Sequence, residues 1–600
     1  MKRKAENREP VKRAPLHDSV RRWTLLFLGT LATFALVLEF GFHLDERTTE
    51  ALEILDIAIA VVFGLELTID LALTGGRASR LRWFEYSLAA LFALAVISLE
   101  WIVSEDAIEA LLSTLHLPAV SQLYLILAQI FVLIGAGTHF LREHERMLTA
   151  PVRAELMFVG GFAALIALGT ALLSLPRSMA DGVASLGPVD ALFTSTSAVC
   201  VTGLAVRDTG SEFSFLGQTI LLVLIQVGGL GIITFVGFLV MTSGQSSIPQ
   251  LVALRKLVNA RSVADVGRQI LAILLTAVVI EAIGAVALFF LVDRPMGGRL
   301  EHGFWALFHS ISAFCNAGFA LQSDSLTSMR SDWGVCSVIM GLIVIGGLGA
   351  PVVRNVVDVL WSRLPRRGPR IARARVRLGV QSRITLVLTG LLIVLGALLF
   401  GALESSGGVL AGQDLGSGTL MSLFQSTTTR TAGFNTVEIG DLKDATLIVM
   451  SGLMVVGASP VSTGGGIKTV AFGILLLTIR SMMTGKRAEI FGRQIPDRFV
   501  TAAISIFVVY VFSAIGICFL LSITDPDIGF VDRVVETVSA LSTVGLSTGI
   551  TSELSSAGKL ILCVAMFAGR IGPLSLAMTV VRAHGHRATY DLPEEPLVLS

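Results

Sequence analysis

The sequence predicts an all-α polytopic membrane protein, built from four membrane helix–pore helix–membrane helix repeats around one pore, with an extra N-terminal four-helix membrane bundle. Three observations predict it. The 600 residues are 53% hydrophobic and only 15% charged, and the apolar residues fall in continuous runs long enough to cross a hydrocarbon core of about 30 Å. Those runs do not alternate in segments of about ten residues, as the strands of a membrane barrel would. Glycines at 203, 318, 433 and 545, each in a related short phrase, follow one another at intervals of 115, 115 and 112 residues, the mark of repeats that together build one structure.

Residues 1–150 precede the repeats. Lys2, Arg3, Lys4, Arg8, Lys12, Arg13, Arg21 and Arg22 lead into an apolar run from Trp23 to Phe42. The run exceeds a signal-peptide core and no small-residue cleavage pattern follows it, so it reads as a retained first span with a cytoplasmic N-terminus. Further spans are expected at 54–73, 84–103 and 119–139. The second carries Glu66 and Asp70 on one helical face, each acid costing about 2.5–3.5 kcal/mol on insertion scales. The module resembles a voltage-sensor-like bundle, but Pro118 to His139 holds no arginine or lysine to move in a field, so a structural or docking role is expected.

The repeats divide as 151–245, 246–365, 366–490 and 491–583, with a tail at 584–600. First spans are expected at 154–175, 268–292, 382–403 and 499–523, and second spans at 215–241, 334–360, 443–482 and 557–581. Between them lie short segments, Ala191-Leu192-Phe193, Ala306-Leu307-Phe308 and Leu423-Phe424, too brief and too rich in Ser and Thr to span. They fit re-entrant helices buried in protein, where non-helical backbone is tolerated at that depth. Further glycine clusters begin at Gly228, Gly346, Gly457 and Gly569, and close helix packing is the expectation for the first two. The inter-repeat linkers carry Arg255, Lys256, Arg261 and Arg268, then nine arginines from Arg354 to Arg383, then Arg480, Lys486, Arg487, Arg493 and Arg498. The positive-inside rule puts these linkers and both termini in the cytoplasm and the glycine phrases on the outer side. Such linkers suit anionic membrane lipids, and nucleic acid is not expected as a partner.

Thr-Val-Gly at 543–545 can set successive backbone carbonyls around a dehydrated cation. Glycine permits the required dihedrals, and pore helices entering from outside point their negative C-terminal ends at the cavity. The candidate ion-binding filter is Val201, Thr202, Gly203, Leu204; Asn316, Ala317, Gly318, Phe319; Thr431, Ala432, Gly433, Phe434; and Thr543, Val544, Gly545, Leu546. None is acidic, which disfavours a carboxylate ring selecting divalent cations. Arg430 beside the third phrase is expected to bond pore-helix carbonyls behind it. Three successive glycines and a proline between Gly457 and Lys468 cannot continue a helix. The second span of the third repeat must therefore break midway and line a cavity. Gly466-Ile467-Lys468-Thr469 departs from the Gly-Lys-Ser/Thr order of a phosphate-binding loop. Arg570, inside the last apolar span, is a functional candidate because intramembrane charge is costly. Cys200, Cys315, Cys336, Cys518 and Cys563 lack paired or ligand spacing and read as small core residues.

The four phrases, together with Gly457-Ala458-Ser459-Pro460-Val461-Ser462-Thr463-Gly464-Gly465-Gly466-Ile467-Lys468-Thr469, resemble the Trk/Ktr/HKT superfamily of potassium transporters over residues 151–583. The resemblance implies a pore-forming subunit that takes up K+ across the cytoplasmic membrane, a homodimer with one pore per chain, and potassium preference from glycine at all four filters. It implies a gate at Gly457, Ser459, Ser462, Thr463, Gly464, Gly465, Gly466 and Lys468, with Arg570 facing the cavity beneath the filter. It also implies a separate cytosolic nucleotide-binding regulatory subunit, no other cofactor, and Na+ or H+ as open choices of coupling ion. A sodium-permeable or non-selective channel of the same fold is the alternative. A membrane enzyme is disfavoured, since His139, His302, His584 and His586 sit without an acid or nucleophile constellation, and no catalytic residue is expected.

Overall fold

A computed structural model of the chain describes residues 15–42, scattered positions from 45 to 65, and then 154–231, 266–292, 298–363 and 377–572. The spans expected at 84–103 and 119–139, with Glu66 and Asp70, lie outside the described residues, as do the linker at 246–265, most of the arginine-rich linker and the 584–600 tail. The first expected span is helix α1, Pro15–Gly41. It docks on the first repeat at its far end, where Arg177 Nη1 donates to the Glu39 carbonyl at 2.8 Å, one of the terminal carbonyls a helix leaves unpaired.

The first spans of the repeats are α2 (Ala154–Leu173), then, after the pore helix α3 (Pro188–Cys200) and α4 (Phe215–Leu230), α5 (Val266–Leu291). The second repeat continues with pore helix α6 (Arg299–Cys315), α7 (Trp333–Leu348) and α8 (Ala350–Arg363). The third comprises α9 (Val380–Glu404), pore helix α10 (Leu415–Thr428), α11 (Asp444–Val455) and α12 (Thr469–Thr484). A short hairpin, β1 (Glu489–Ile490) with β2 (Arg493–Gln494), leads to α13 (Asp497–Thr524), pore helix α14 (Phe530–Ser542) and α15 (Ser556–Ile571). Helices α5, α9 and α13 are long and apolar enough to cross a membrane. They expose Leu275, Ile283, Phe290, Val394, Leu398, Phe512 and Phe519 outward, as lipid-facing surfaces do. Polar caps fix where helices begin: Asp332 accepts from the Gly334 and Val335 amides at 2.8 and 3.1 Å, and Ser214 and Ser555 cap α4 and α15 alike.

The second spans expected at 215–241, 334–360 and 557–581 are interrupted within the described residues, while 232–241 and 573–581 lie outside them. Helices α4, α7 and α15 end at Gly231, Gly349 and Gly572, each at positive φ (81°, 78° and 93°). Beyond Gly349 the chain turns by 103° into α8. In each case the glycine lies three residues after Gly228, Gly346 or Gly569. Those three pack on the pore-helix backbone: a Cβ on them would strike the carbonyls of Val199, Phe314 and Leu541, respectively. The close packing expected of the glycine clusters is present, and the helices also stop there. The third repeat breaks as expected between α11 and α12.

Around the centre, each second span packs on the pore helix of the next repeat: α4 on α6, α7 on α10, α11 on α14, and α15 back on α3. The ring is closed by Lys559 on α15, whose Nζ lies 2.8 Å from Asp190 on α3. Within repeats, pore-helix serines clip the first span. Ser195, Ser310 and Ser426 donate to the carbonyls of Ile166, Glu281 and Ile393 at 2.8, 2.6 and 2.7 Å. Each serine sits against a first-span glycine, Gly169, Gly284 or Gly396. Lipid tails supply no hydrophobic drive between helices, so such small-residue contacts and hydrogen bonds hold them together.

Candidate functional site

The four filter phrases share one backbone conformation. Val201, Asn316, Thr431 and Thr543 lie in the left-handed region (φ 57°, 59°, 71° and 52°), and two residues later Gly203, Gly318, Gly433 and Gly545 are again at positive φ (95°, 71°, 81° and 96°). Val201, Asn316 and Thr543 turn the chain off their pore helices, whereas Thr431 follows two residues after Thr429, where the third pore helix ends, and in all four the glycine turns the chain again. The amides of Thr202, Ala317 and Val544 then bond back to Ser197, Ser312 and Ser539 at 2.8 Å. In the third quarter the equivalent bond, from Ala432, goes to Thr428 at 2.9 Å, so this quarter is one residue shorter.

These turns meet in a ring. A Cβ on Gly203 would lie 2.5 Å from the Ala317 carbonyl oxygen, one on Gly318 2.8 Å from that of Ala432, and one on Gly433 2.6 Å from that of Val544. One on Gly545 would overlap that of Thr202. Each filter glycine thus abuts the carbonyl preceding the next, and the fourth returns to the first. The side chains of Thr202, Ala317, Ala432 and Val544 are fully buried in the surrounding protein, leaving backbone oxygens to converge from four sides. Hydroxyls behind them pin the backbone: Ser197 and Ser539 accept from the Gly203 and Gly545 amides at 3.1 Å, while Ser312 and Thr428 donate to the carbonyls of Phe319 and Phe434 at 2.8 and 2.6 Å.

The segment from Val456 to Lys468 is a folded loop held against this ring. Its stem is paired by Gly457 N to Ile467 O at 3.0 Å and Ile467 N to Val455 O at 3.1 Å. Its bend is closed by Ser462 Oγ donating to Ser459 O at 2.6 Å. The loop touches the second, third and fourth quarters, and Arg570 ties it to the first. Ser459 N donates to Gly347 O at 2.9 Å and Thr463 Oγ1 to Phe314 O at 3.3 Å. Gly464 lies against the Thr431 hydroxyl and Gly465 against that of Thr543. Arg570 completes the set, its guanidinium bonding the carbonyls of Thr463 and Gly228, with Gly229 O at 3.4 Å. Lys468 Nζ bonds Gly464 O at 2.5 Å. Arg570, Lys468 and residues 461–464 border a cavity of about 250 Å³, whose other walls include Ala277, Phe314 and Gly346.

The structure therefore brings the four expected filter phrases together at Gly203, Gly318, Gly433 and Gly545, with the loop glycines Gly464 and Gly465 against Thr431 and Thr543. Arg430 differs from expectation: Nη2 donates to the Gly457 carbonyl at 3.0 Å, at the loop's stem, not to a pore-helix carbonyl. At the helix breaks the Gly228 and Gly346 carbonyls accept from the Gly231 and Gly349 amides at 3.3 and 3.2 Å, and the Gly228 carbonyl accepts from Arg570 as well. The Ser–Gly clips were missed by reading phrases alone. Their signal was available, since Ser195 and Ser310, and Gly169 and Gly284, repeat at the same 115-residue interval as the filters.

Comparison with known proteins agrees with this geometry. The model of the TrkH family, described as cation transport protein, matches residues 122–588. The chain is 34% identical over 465 residues to the potassium/sodium uptake protein NtpJ of Enterococcus hirae, covering 76% of this chain and 99% of that protein. It is 38% identical over 425 residues to the Ktr system potassium uptake protein B of Vibrio alginolyticus, covering 70% and 90%. The solved structure of the potassium transporter TrkH from Vibrio parahaemolyticus shares the fold, with a TM-score of 0.58 at 17% identity over 83% of this chain and 97% of that one.

Proposed function

The chain belongs to the TrkH family of cation transport proteins, and from that premise we propose that it takes up potassium ions through the ring of filter glycines, with the Gly457–Lys468 loop as the gate. The observation that carries this reading is the closed succession of glycine and carbonyl through all four quarters. Backbone oxygens from four sides can replace the water of a monovalent cation, and the C-terminal ends of four pore helices favour positive charge at their centre. Potassium as the cargo draws on the relatives named for its uptake. Sodium permeation is the second reading, favoured by the relative named for both ions.

The loop lies under the ring with Lys468 and Arg570 beside it. Two fixed positive charges on a cation's route raise its barrier, each by about 1–4 kcal/mol at about 4 Å between water-like and surface-like surroundings. Conduction then requires the loop to withdraw. A cytosolic nucleotide-binding subunit is the proposed source of that work, in keeping with relatives named as parts of a Ktr system. A homodimer, cytoplasmic termini and a cell-membrane location belong to the same reading. Expression in a strain lacking its own potassium uptake tests it: growth on limiting potassium should be restored when this chain is present with a matching regulatory subunit. Absence of any potassium-dependent flux under those conditions would overturn the reading.

A further inference from the structure

Counted from the filter glycines, the four pore helices carry a polar side chain at one equivalent position: Thr194, His309, Gln425 and Glu536, the third allowing for its shorter quarter. All are buried to within 2% of complete enclosure. Each keeps one polar atom without a partner: Thr194 Oγ1, His309 Nε2, Gln425 Oε1 and Glu536 Oε2. Enclosed polar atoms are costly unless they hold something. In two quarters the other polar atom of the side chain bonds the stretch that follows the filter glycine. Gln425 Nε2 donates to Thr436 Oγ1 at 3.3 Å, three residues past Gly433. Glu536 Oε1 is hydrogen-bonded by the Thr551 hydroxyl, which lies 2.9 Å from Ser547 Oγ, two residues past Gly545. Ser547 Oγ in turn accepts from the Gly549 amide at 3.0 Å. The Thr551 hydroxyl thus stands between the Glu536 carboxyl and Ser547 Oγ, and Ser547 Oγ accepts from Thr551 and from Gly549. The inner end of this filter is already pinned by Ser539, so the Glu536 chain fixes the outer end from behind.

We propose that Glu536 is a positioning residue for ion selectivity: through Thr551 and Ser547 it sets the placement of the backbone just outside Gly545, and it acts as a hydrogen-bond acceptor, not as a fixed charge. Gln425 with Thr436 does the same in the neighbouring third quarter. The inference rests on the proposed reading of the glycine ring as a cation filter. Filter carbonyls discriminate ions through their number and placement, so loosening one outer corner should cost discrimination before it costs assembly.

The test reconstitutes wild type, E536Q, E536L, T551S and T551V in proteoliposomes, and measures potassium uptake and its competition by sodium. Monodispersity in detergent is measured alongside. E536Q and T551S keep the acceptor or the hydroxyl and should hold the potassium-over-sodium ratio within about twofold of wild type. E536L and T551V should lower it about tenfold while remaining monodisperse, and T551V decides the matter should E536L fail to assemble. A purely structural role would lower protein yield or total flux with the ratio unchanged, and that result in T551V overturns the assignment. Loss of selectivity in E536Q equal to that in E536L also overturns it, because charge would then be the operative property. A wild type that does not prefer potassium overturns the filter reading itself, whereas a selective wild type with unaltered variants overturns only the role of Glu536.

Discussion

Gly545 carries two constraints at once. Its φ of 96° disfavours any side chain, at about 1–2 kcal/mol, and a Cβ there would overlap the Thr202 carbonyl of the opposite end of the chain. Gly545→Ser is therefore expected to shift that carbonyl and reduce the preference for potassium over sodium, read as the ratio of their fluxes in proteoliposomes. Arg570 carries a different burden. Its guanidinium fork joins the loop at Thr463 to the end of α4 at Gly228. Arg570→Gln should release the loop and raise basal flux severalfold without a regulatory subunit. Arg570→Lys should rescue only in part, because an ammonium lacks the planar fork. The residues themselves were legible in the sequence because a glycine period of 115 is hard to miss. The partner of Arg430 was not, because its bond to Gly457 spans the broken helix and depends on how the loop folds.

Elements were legible where length and apolarity decide them. The expected first spans 154–175, 268–292, 382–403 and 499–523 fall within two residues of α2, α5, α9 and α13 at both ends. The second spans were not, since apolar residues continue past Gly231 and Gly349 and glycine is common within membrane helices. Only the three-dimensional approach to the pore-helix carbonyls shows why those helices stop. The Ser–Gly clips give a test at this scale. Gly284 faces the Ser310 hydroxyl and Leu342, leaving no room for branching. Gly284→Val should destabilise the second repeat by about 1–3 kcal/mol through overpacking, seen as a lower unfolding temperature in detergent. Gly160 on α2, which meets nothing within 4 Å, should tolerate alanine with no such change.

At the scale of the whole molecule, four repeats become one body because the last second span packs on the first pore helix. The Lys559–Asp190 pair spans that seam, 369 residues apart in sequence. Asp190→Asn should weaken closure by about 1 kcal/mol or less, as partly exposed pairs do. The double exchange Asp190→Lys with Lys559→Asp should recover most of it in the same thermal measurement. No pattern within one repeat announces such a pair, which exists only because the ring closes. The same closure bears on how the proposed gate moves. The loop is fastened to α7, to two filters, to α15 and, through Arg570, to the end of α4, so no single corner can let go while the others keep it in the ion's path. Opening is then an all-or-none event with a high activation enthalpy. Single-molecule current records should show long silences and one full conductance level, with no fractional steps between.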